Sequence, residues 1–172
     1  MGRRHRRGRA KIVRGRSLRR AMKPFEGWAF DFIQDRLLNG RSFRGLTIMD
    51  EFSRVDLALE RNYSFPSRCV IDVLDDVDRE FGYPKYIRVV IGTELTSKIM
   101  KLWSEEHGVE LLFIQPGKQT QIAYIESFNS RVRAEFLNAH WFRSLNEART
   151  AAPQEFLATY EAIQSPQKSL AA

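Results

Sequence analysis

The spacing of apolar side chains changes character along this chain, and the changes mark out its elements. "GWAFDFIQD" (residues 27–35) alternates aromatic and polar positions, the two-residue period of a half-buried strand. "LLNGRSF" then supplies Asn39-Gly40, the dipeptide that closes tight hairpins. Residues 43–49 and 54–60 keep the strand pattern on either side of a polar turn at 50–53, which predicts a meander of three antiparallel strands. After residue 66 the period lengthens. Val70, Val73, Leu74 and Val77 recur at helical spacing, with Ser67 expected as N-cap and Gly82 just past the end. "YIRVVIG" predicts a short strand, "TSKIMKLWSEEHG" a helix capped by Thr96 or Ser97 and closed by Gly108, and "VELLFIQ" another strand. A long helix follows over about 121–138, then a last one within 145–163, where Pro153 breaks or kinks it. The order β-β-β-α-β-α-β-α-α predicts an α/β domain: a five-stranded mixed sheet, three antiparallel strands then two parallel, with helices on both faces.

Charge adds a second region. The first 24 residues hold eleven of the 28 Lys and Arg residues and no Asp or Glu, leaving 17 basic against 21 acidic residues, a net of −4, in the rest. The chain therefore divides into a basic arm (1–24), a mildly acidic body (25–164) and a short tail (165–172). A like-charged run with few large apolar residues repels itself and is expected to be disordered or only partly helical when free. Arginines such as Arg3, Arg4, Arg6 and Arg7 are suited to phosphate, so the arm reads as a sequence-blind nucleic-acid grip. The single Cys69 excludes an intramolecular disulfide and a Cys-rich zinc site, and suits a reducing cytosol. No apolar run reaches the roughly 18 residues of a membrane span, and the N-terminus has no signal-peptide core.

Two carboxylates stand out. Asp31 sits in the first strand between Phe30 and Phe32, which point to the opposite face, and a carboxylate there is costly unless paired or metal-bound. In "QIAYIESFNSRVRAEFLN", Ile125, Phe128, Val132 and Phe136 form one helical stripe, ordinary core packing. Glu126, Asn129, Ser130 and Arg133 form the neighbouring stripe: a carboxylate with an amide and a guanidinium in line. Alone, Glu126 would read as a solvated helix residue; Asp31 changes that.

Together "WAFDF", "GRSFRGLTIMDEFSR", "GTELTS", "FIQPGK" and "YIESFNSRVRAEFLNAHWF" resemble the catalytic core of bacterial insertion-sequence transposases, which have the retroviral-integrase type of ribonuclease-H-like fold and an Asp-Asp-Glu triad. The resemblance spans residue 25 to about 162. It implies two Mg²⁺ (or Mn²⁺) ions serving an in-line phosphoryl displacement on DNA. It implies Asp31 and Glu126 as catalytic and metal-binding residues, near each other on one edge of the sheet with Val90 beside them. Arg133 and Asn129 match positions facing the DNA, with Lys118 and Arg131 as further expected contacts. Partners implied are DNA and further copies of the chain, with no membrane and no small-molecule substrate, in a bacterial cytoplasm at the nucleoid.

At the position of the second Asp the chain has Val90, followed by Ile91 in place of Asn. Valine carries no lone pair, so the implied metal binding is weakened or lost. Gln119, Ile122, Glu161, Ser165 and Gln167 also depart from the family pattern at polar positions, while the apolar framework is kept. The expectation is thus a transposase-like core with impaired catalysis. The alternatives are a non-catalytic nucleic-acid-binding module derived from a transposase, an active core with a replacement ligand, and a generic basic nucleic-acid binder. The family's helix-turn-helix region is not visible, so the chain reads as a fragment whose binding is mainly electrostatic.

Overall fold

In the computed structural model the described residues are 13–14, 19–90, 96–114 and 123–151. Six strands form one sheet: β1 (Val13–Arg14), β2 (Gly27–Arg36), β3 (Ser42–Asp50), β4 (Asp56–Asn62), β5 (Tyr86–Val90) and β6 (Glu110–Ile114). Four helices accompany them: α1 (Ser67–Phe81), α2 (Lys98–His107), α3 (Ala123–Arg131) and α4 (Leu145–Thr150). The sheet order is β1-β6-β5-β2-β3-β4. β2, β3 and β4 pair antiparallel, whereas β5 lies parallel to β2, and β6 parallel to β5. The five strands that the hydrophobic pattern predicts are all present, in the mixed arrangement expected.

The sixth strand is an addition. Val13 and Arg14, from within the basic arm, run parallel to β6 opposite Leu112 and Phe113. The two residues pair with part of an edge that would otherwise expose unpaired backbone groups. Charge density alone carries no sign of this.

Strand alternation separates two cores. Trp28, Phe30, Ile48, Ile87 and Val89 face α1 and α2, where Val70, Leu74, Met100 and Trp103 are buried against them. Ala29, Ile33, Phe43, Met49 and Ile114 face the other way, onto Ile125, Phe128, Val132 and Phe136. Helices therefore cover both faces.

Local signals act as expected at several ends. Gly40 takes φ +81° in the β2–β3 turn, and Gly108 closes α2 in the left-handed region. Ser97 caps α2 by accepting from the Met100 N–H. Ser67, however, is not a cap: Pro66 precedes the helix, and no side-chain cap bond forms. Proline's fixed φ suits that position, and Ser67 becomes the first helical residue. The helix predicted over 121–138 is α only through Arg131; residues Val132–Leu137 open into a π-helical turn, with the Asn138 N–H donating to Arg133 O. Widening the turn lets the adjacent Phe136 and Leu137 both reach the core. Residues 121–122, Pro153 and the rest of the predicted last helix lie outside the described residues. Among the described residues no helix is long and apolar enough to cross a membrane.

Candidate functional site

Asp31 is not on an edge of the sheet as expected: β2 is a central strand, flanked by β5 and β3, and carries Asp31 on the face covered by α3, where its neighbours Ala29 and Ile33 belong to that core. Thr47, the Cα partner of Asp31 on β3, shares the face and is fully buried. Asn129 on α3 bridges the two. Its Nδ2 donates to Asp31 Oδ2 at 2.9 Å, and its Oδ1 accepts from Thr47 Oγ1 at 2.9 Å. The Thr47 hydroxyl also lies 3.1 Å from the Asp31 carbonyl oxygen. Asp31 Oδ1 accepts from the Phe32 N–H at 2.8 Å. Both carboxylate oxygens thus already hold neutral donors.

Burial pushes the Asp31 carboxyl above the usual aspartate range; the Phe32 N–H and the Asn129 amide pull down without cancelling it. A raised folded-state value means that the folded protein holds this proton more tightly than the unfolded chain does. The resulting stabilisation is fully present below the unfolded value near about 3.9 and is lost as pH rises through the folded value. Melting temperatures of the wild type relative to Asp31→Asn should therefore fall as pH rises from about 4 to 7. A pH-independent difference would show that Asp31 titrates as it does in the unfolded chain.

Glu126 lies one turn before Asn129, roughly 4.5 Å along the helix axis. It is partly exposed and in the first turn of α3, where the helix dipole favours a carboxylate. One turn beyond Asn129, Arg133 donates from Nη2 to Gln34 O at 2.9 Å. The contacts Asn129–Asp31 and Arg133–Gln34 show that helix and strand run side by side in the same direction. The stripe of Glu126, Asn129 and Arg133 is therefore laid along β2. Ser130, in the same stripe, instead turns back to the Glu126 carbonyl. Val90 is the last residue of β5, paired with Ile114. The β2–β5 register runs to Phe30 opposite Val89, so the Val90 backbone occupies the next rung, beside Asp31. Arg131 is exposed at the end of α3. Lys118, Arg3, Arg4, Arg6 and Arg7 lie outside the described residues.

A two-cation centre needs several anionic oxygens converging on it. Among the described residues no three His, Cys, Asp or Glu side chains are grouped to hold a metal. Asn129 donates to one Asp31 oxygen and the Phe32 amide to the other.

One cluster beside the site has no counterpart among the residues that the sequence singles out. Glu51, just past β3, accepts from Tyr86 Oη at 2.6 Å, from Arg88 Nε and from Tyr124 Oη. Arg88 also donates to the carbonyl of Arg19 at 2.6 Å. Arg88 sits two residues before Val90, and Tyr124 two residues before Glu126. Burial works against the Arg88 charge, but the hydrogen bond and charge of Glu51 hold its guanidinium above its ordinary value. Burial, with the Glu51 carboxylate, pushes both tyrosine hydroxyls well up. Asp50 plays a separate part. It accepts from the Phe25 and Ser53 N–H groups and from the Ser53 hydroxyl, fixing the turn. In the sequence, Asp50-Glu51 is an ordinary polar turn. Only the pairing of distant residues distinguishes Glu51.

Known proteins share parts of this sequence and this architecture. Residues 107–165 match the model described as "Integrase core domain". The chain is 40% identical over 126 residues to the "uncharacterized 39.2 kDa protein" of insertion element IS476 from Xanthomonas euvesicatoria, covering 73% of this chain and 36% of that one. It is 43% identical over 126 residues to the 31.7 kDa protein of insertion element IS407 from Burkholderia multivorans, covering 73% and 46%. The chain thus spans less than half the length of these curated relatives. In fold it is similar to a chain of the simian T-cell lymphotropic virus intasome, with TM-score 0.64, 17% identity, and 90% of this chain and 51% of that chain covered. It is also similar to the HTLV-2 integrase catalytic core domain solved in complex with magnesium, with TM-score 0.58, 15% identity, and coverage of 70% and 74%. The shared architecture is the ribonuclease-H-like fold.

Proposed function

The chain is integrase-core-like in fold and similar to insertion-element proteins in sequence, and on that basis we propose that it is a transposase core that engages DNA but is impaired in cutting and joining it. The observation that carries the impairment is the pairing at Asp31. Its Oδ2 accepts from Asn129, and the rung beside it on β5 is Val90. A cation replacing Asn129 would have to displace a buried amide already bonded on both sides, and valine offers nothing in return. Mg²⁺ or Mn²⁺ is accordingly expected to bind weakly at Asp31 and Glu126.

What the described residues can do is hold a DNA backbone. Arg133 is anchored by Gln34 O through one N–H, and its exposed guanidinium has further donors to offer a phosphate. The arm adds arginines, which bind phosphates without regard to sequence. The non-catalytic binding module remains the second reading, and the same pairing at Asp31 favours it. Self-association and residence at the bacterial nucleoid would follow from membership in a DNA-engaging complex.

Nicking of a supercoiled plasmid with Mg²⁺ or Mn²⁺ tests this. The unaltered chain should nick no faster than an Asp31→Ala, Glu126→Ala control. Val90→Asp, combined with Ile91→Asn, should raise nicking above that background. Robust metal-dependent nicking by the unaltered chain would overturn the impairment, and DNA binding without nicking in both forms would favour the pure binding module.

A further inference from the structure

The described residues include three tryptophans of unequal burial. Trp28 is 0% and Trp103 5% exposed, but Trp141 is 77% exposed. Leu38, at the tip of the β2–β3 hairpin, is 59% exposed and lies alongside: its N–H donates to the Phe142 carbonyl at 2.8 Å. Isolated exposed apolar residues are ordinary, but here an exposed tryptophan and an exposed leucine lie on backbone segments that a hydrogen bond joins, and we treat them as one platform. Leu37, Phe43 and Phe142, from the same segments, are buried in the α3-side core.

The platform also continues a line already described. Moving along β2, Asp31 meets Asn129, Gln34 meets Arg133, and Leu38 meets Phe142. Nearby, the Arg41 guanidinium stacks at 3.5 Å over the Tyr63 ring. The segments 34–41 and 131–149 hold six arginines against three carboxylates, although residues 25–172 as a whole carry a net charge of −4. Two of those carboxylates, Asp35 and Glu147, are turned onto backbone N–H groups. A second copy of this chain docking symmetrically here would set arginine against arginine, whereas a polyanion is drawn in.

We infer that Trp141, with Leu38 and the arginines of these two segments, is a stacking site for an unpaired base of a DNA strand that runs from Asp31 along the β2–α3 seam. An aromatic face beside guanidinium groups is the chemistry that holds single strands without reading their sequence. Bases inside a duplex are already stacked, so the site selects an unpaired segment. From Asp31 to the end of β2 is about 17 Å at roughly 3.4 Å per residue. That span corresponds to about five nucleotides at the duplex rise. This inference rests on the proposed engagement of DNA.

Titration of the full chain with oligo(dT) and with a blunt duplex tests it, read by tryptophan emission and by anisotropy of labelled DNA. Oligo(dT) should quench the exposed tryptophan component. Trp141→Ala should abolish that quenching and weaken oligo(dT) binding about tenfold, while duplex binding and melting temperature stay unchanged. Trp141→Phe should keep most of the affinity. Unchanged oligo(dT) affinity in Trp141→Ala would overturn the inference while leaving the DNA-binding reading intact. So would a dimer that Trp141→Ala converts to monomer with DNA affinity unaltered, because the platform would then be a self-association surface. A wild-type chain that binds neither DNA would sink both.

Discussion

Glu51→Ala should lower the melting temperature by roughly 10 °C or more. Glu51 and Arg88 are 9% and 4% exposed, and the pair is completed by the hydroxyls of Tyr86 and Tyr124. Removing the carboxylate leaves a buried guanidinium, the buried Tyr86 hydroxyl and the partly buried Tyr124 hydroxyl without their acceptor. Breaking a buried pair from one side costs about 3–5 kcal/mol, because the remaining charge is uncompensated. For a domain of this size each kcal/mol lowers the midpoint by about 2–4 °C. The double change Glu51→Leu, Arg88→Met should recover most of the loss, since it removes both charges together. Salt should change the wild-type midpoint little, as a pair this buried is poorly screened. Thermal melts of the three proteins decide it: a single variant within a degree or two of wild type would mean that water reaches the pair. The cluster ties the roots of β5 and α3 together, so its loss should also weaken whatever the Asp31 site binds.

Asn129→Asp carries the second large effect, and it bears directly on the site. The Asn129 Nδ2 sits 2.9 Å from Asp31 Oδ2, and Asn129 is 7% exposed. An aspartate oxygen there would face the Asp31 carboxylate at hydrogen-bond distance. Two such carboxylates must share a proton, which raises the apparent value of the pair. The variant should be destabilised at pH 7 by at least about 1–3 kcal/mol, the cost of a buried polar group left unsatisfied. The loss should shrink as pH falls toward about 4, because a raised folded-state value gives stability at low pH and removes it as pH rises. Added Mn²⁺ should also raise the melting temperature of Asn129→Asp more than that of the wild type, since a cation can take the place of the shared proton. Asn129→Ala should lose a similar amount at pH 7, less dependent on pH and with no response to Mn²⁺. If Asn129→Asp behaves like Asn129→Ala in both respects, the amide is not the group occupying the Asp31 oxygen.

These results would also separate two meanings of Asp31. As a metal ligand Asp31 would turn its lone pairs to a cation, whereas in this structure one of them holds a helix to a sheet through Asn129. On the proposed reading, Val90 on the adjoining rung gives up a ligand at no cost in stability. Apolar β-branched residues suit a buried parallel strand, so β5 can keep its place without the polar pair that the family pattern expects.

Much of this was legible along the chain, and the reason is locality. Strand alternation in β2, the Asn39-Gly40 turn, the Ser97 cap and the Ile125, Phe128, Val132, Phe136 stripe depend on neighbours within a turn or two. Short-range sterics and periodic burial set them, so they can be read without coordinates. Tertiary structure decided the rest. Asn129 meets Asp31 across 98 residues, Tyr124 meets Glu51 across 73, and Arg88 meets Glu51 across 37. No local period encodes such partners, and only the packed sheet and α3 bring them within hydrogen-bond range. Val13–Arg14 joining β6 and the π turn at Val132–Leu137 are likewise consequences of packing, which overrides a charge run in one case and an α-helical period in the other. The sequence by itself determined five of the six strands, the order of the elements and the two carboxylates to look for. The fold alone decided that one of them is occupied by an amide.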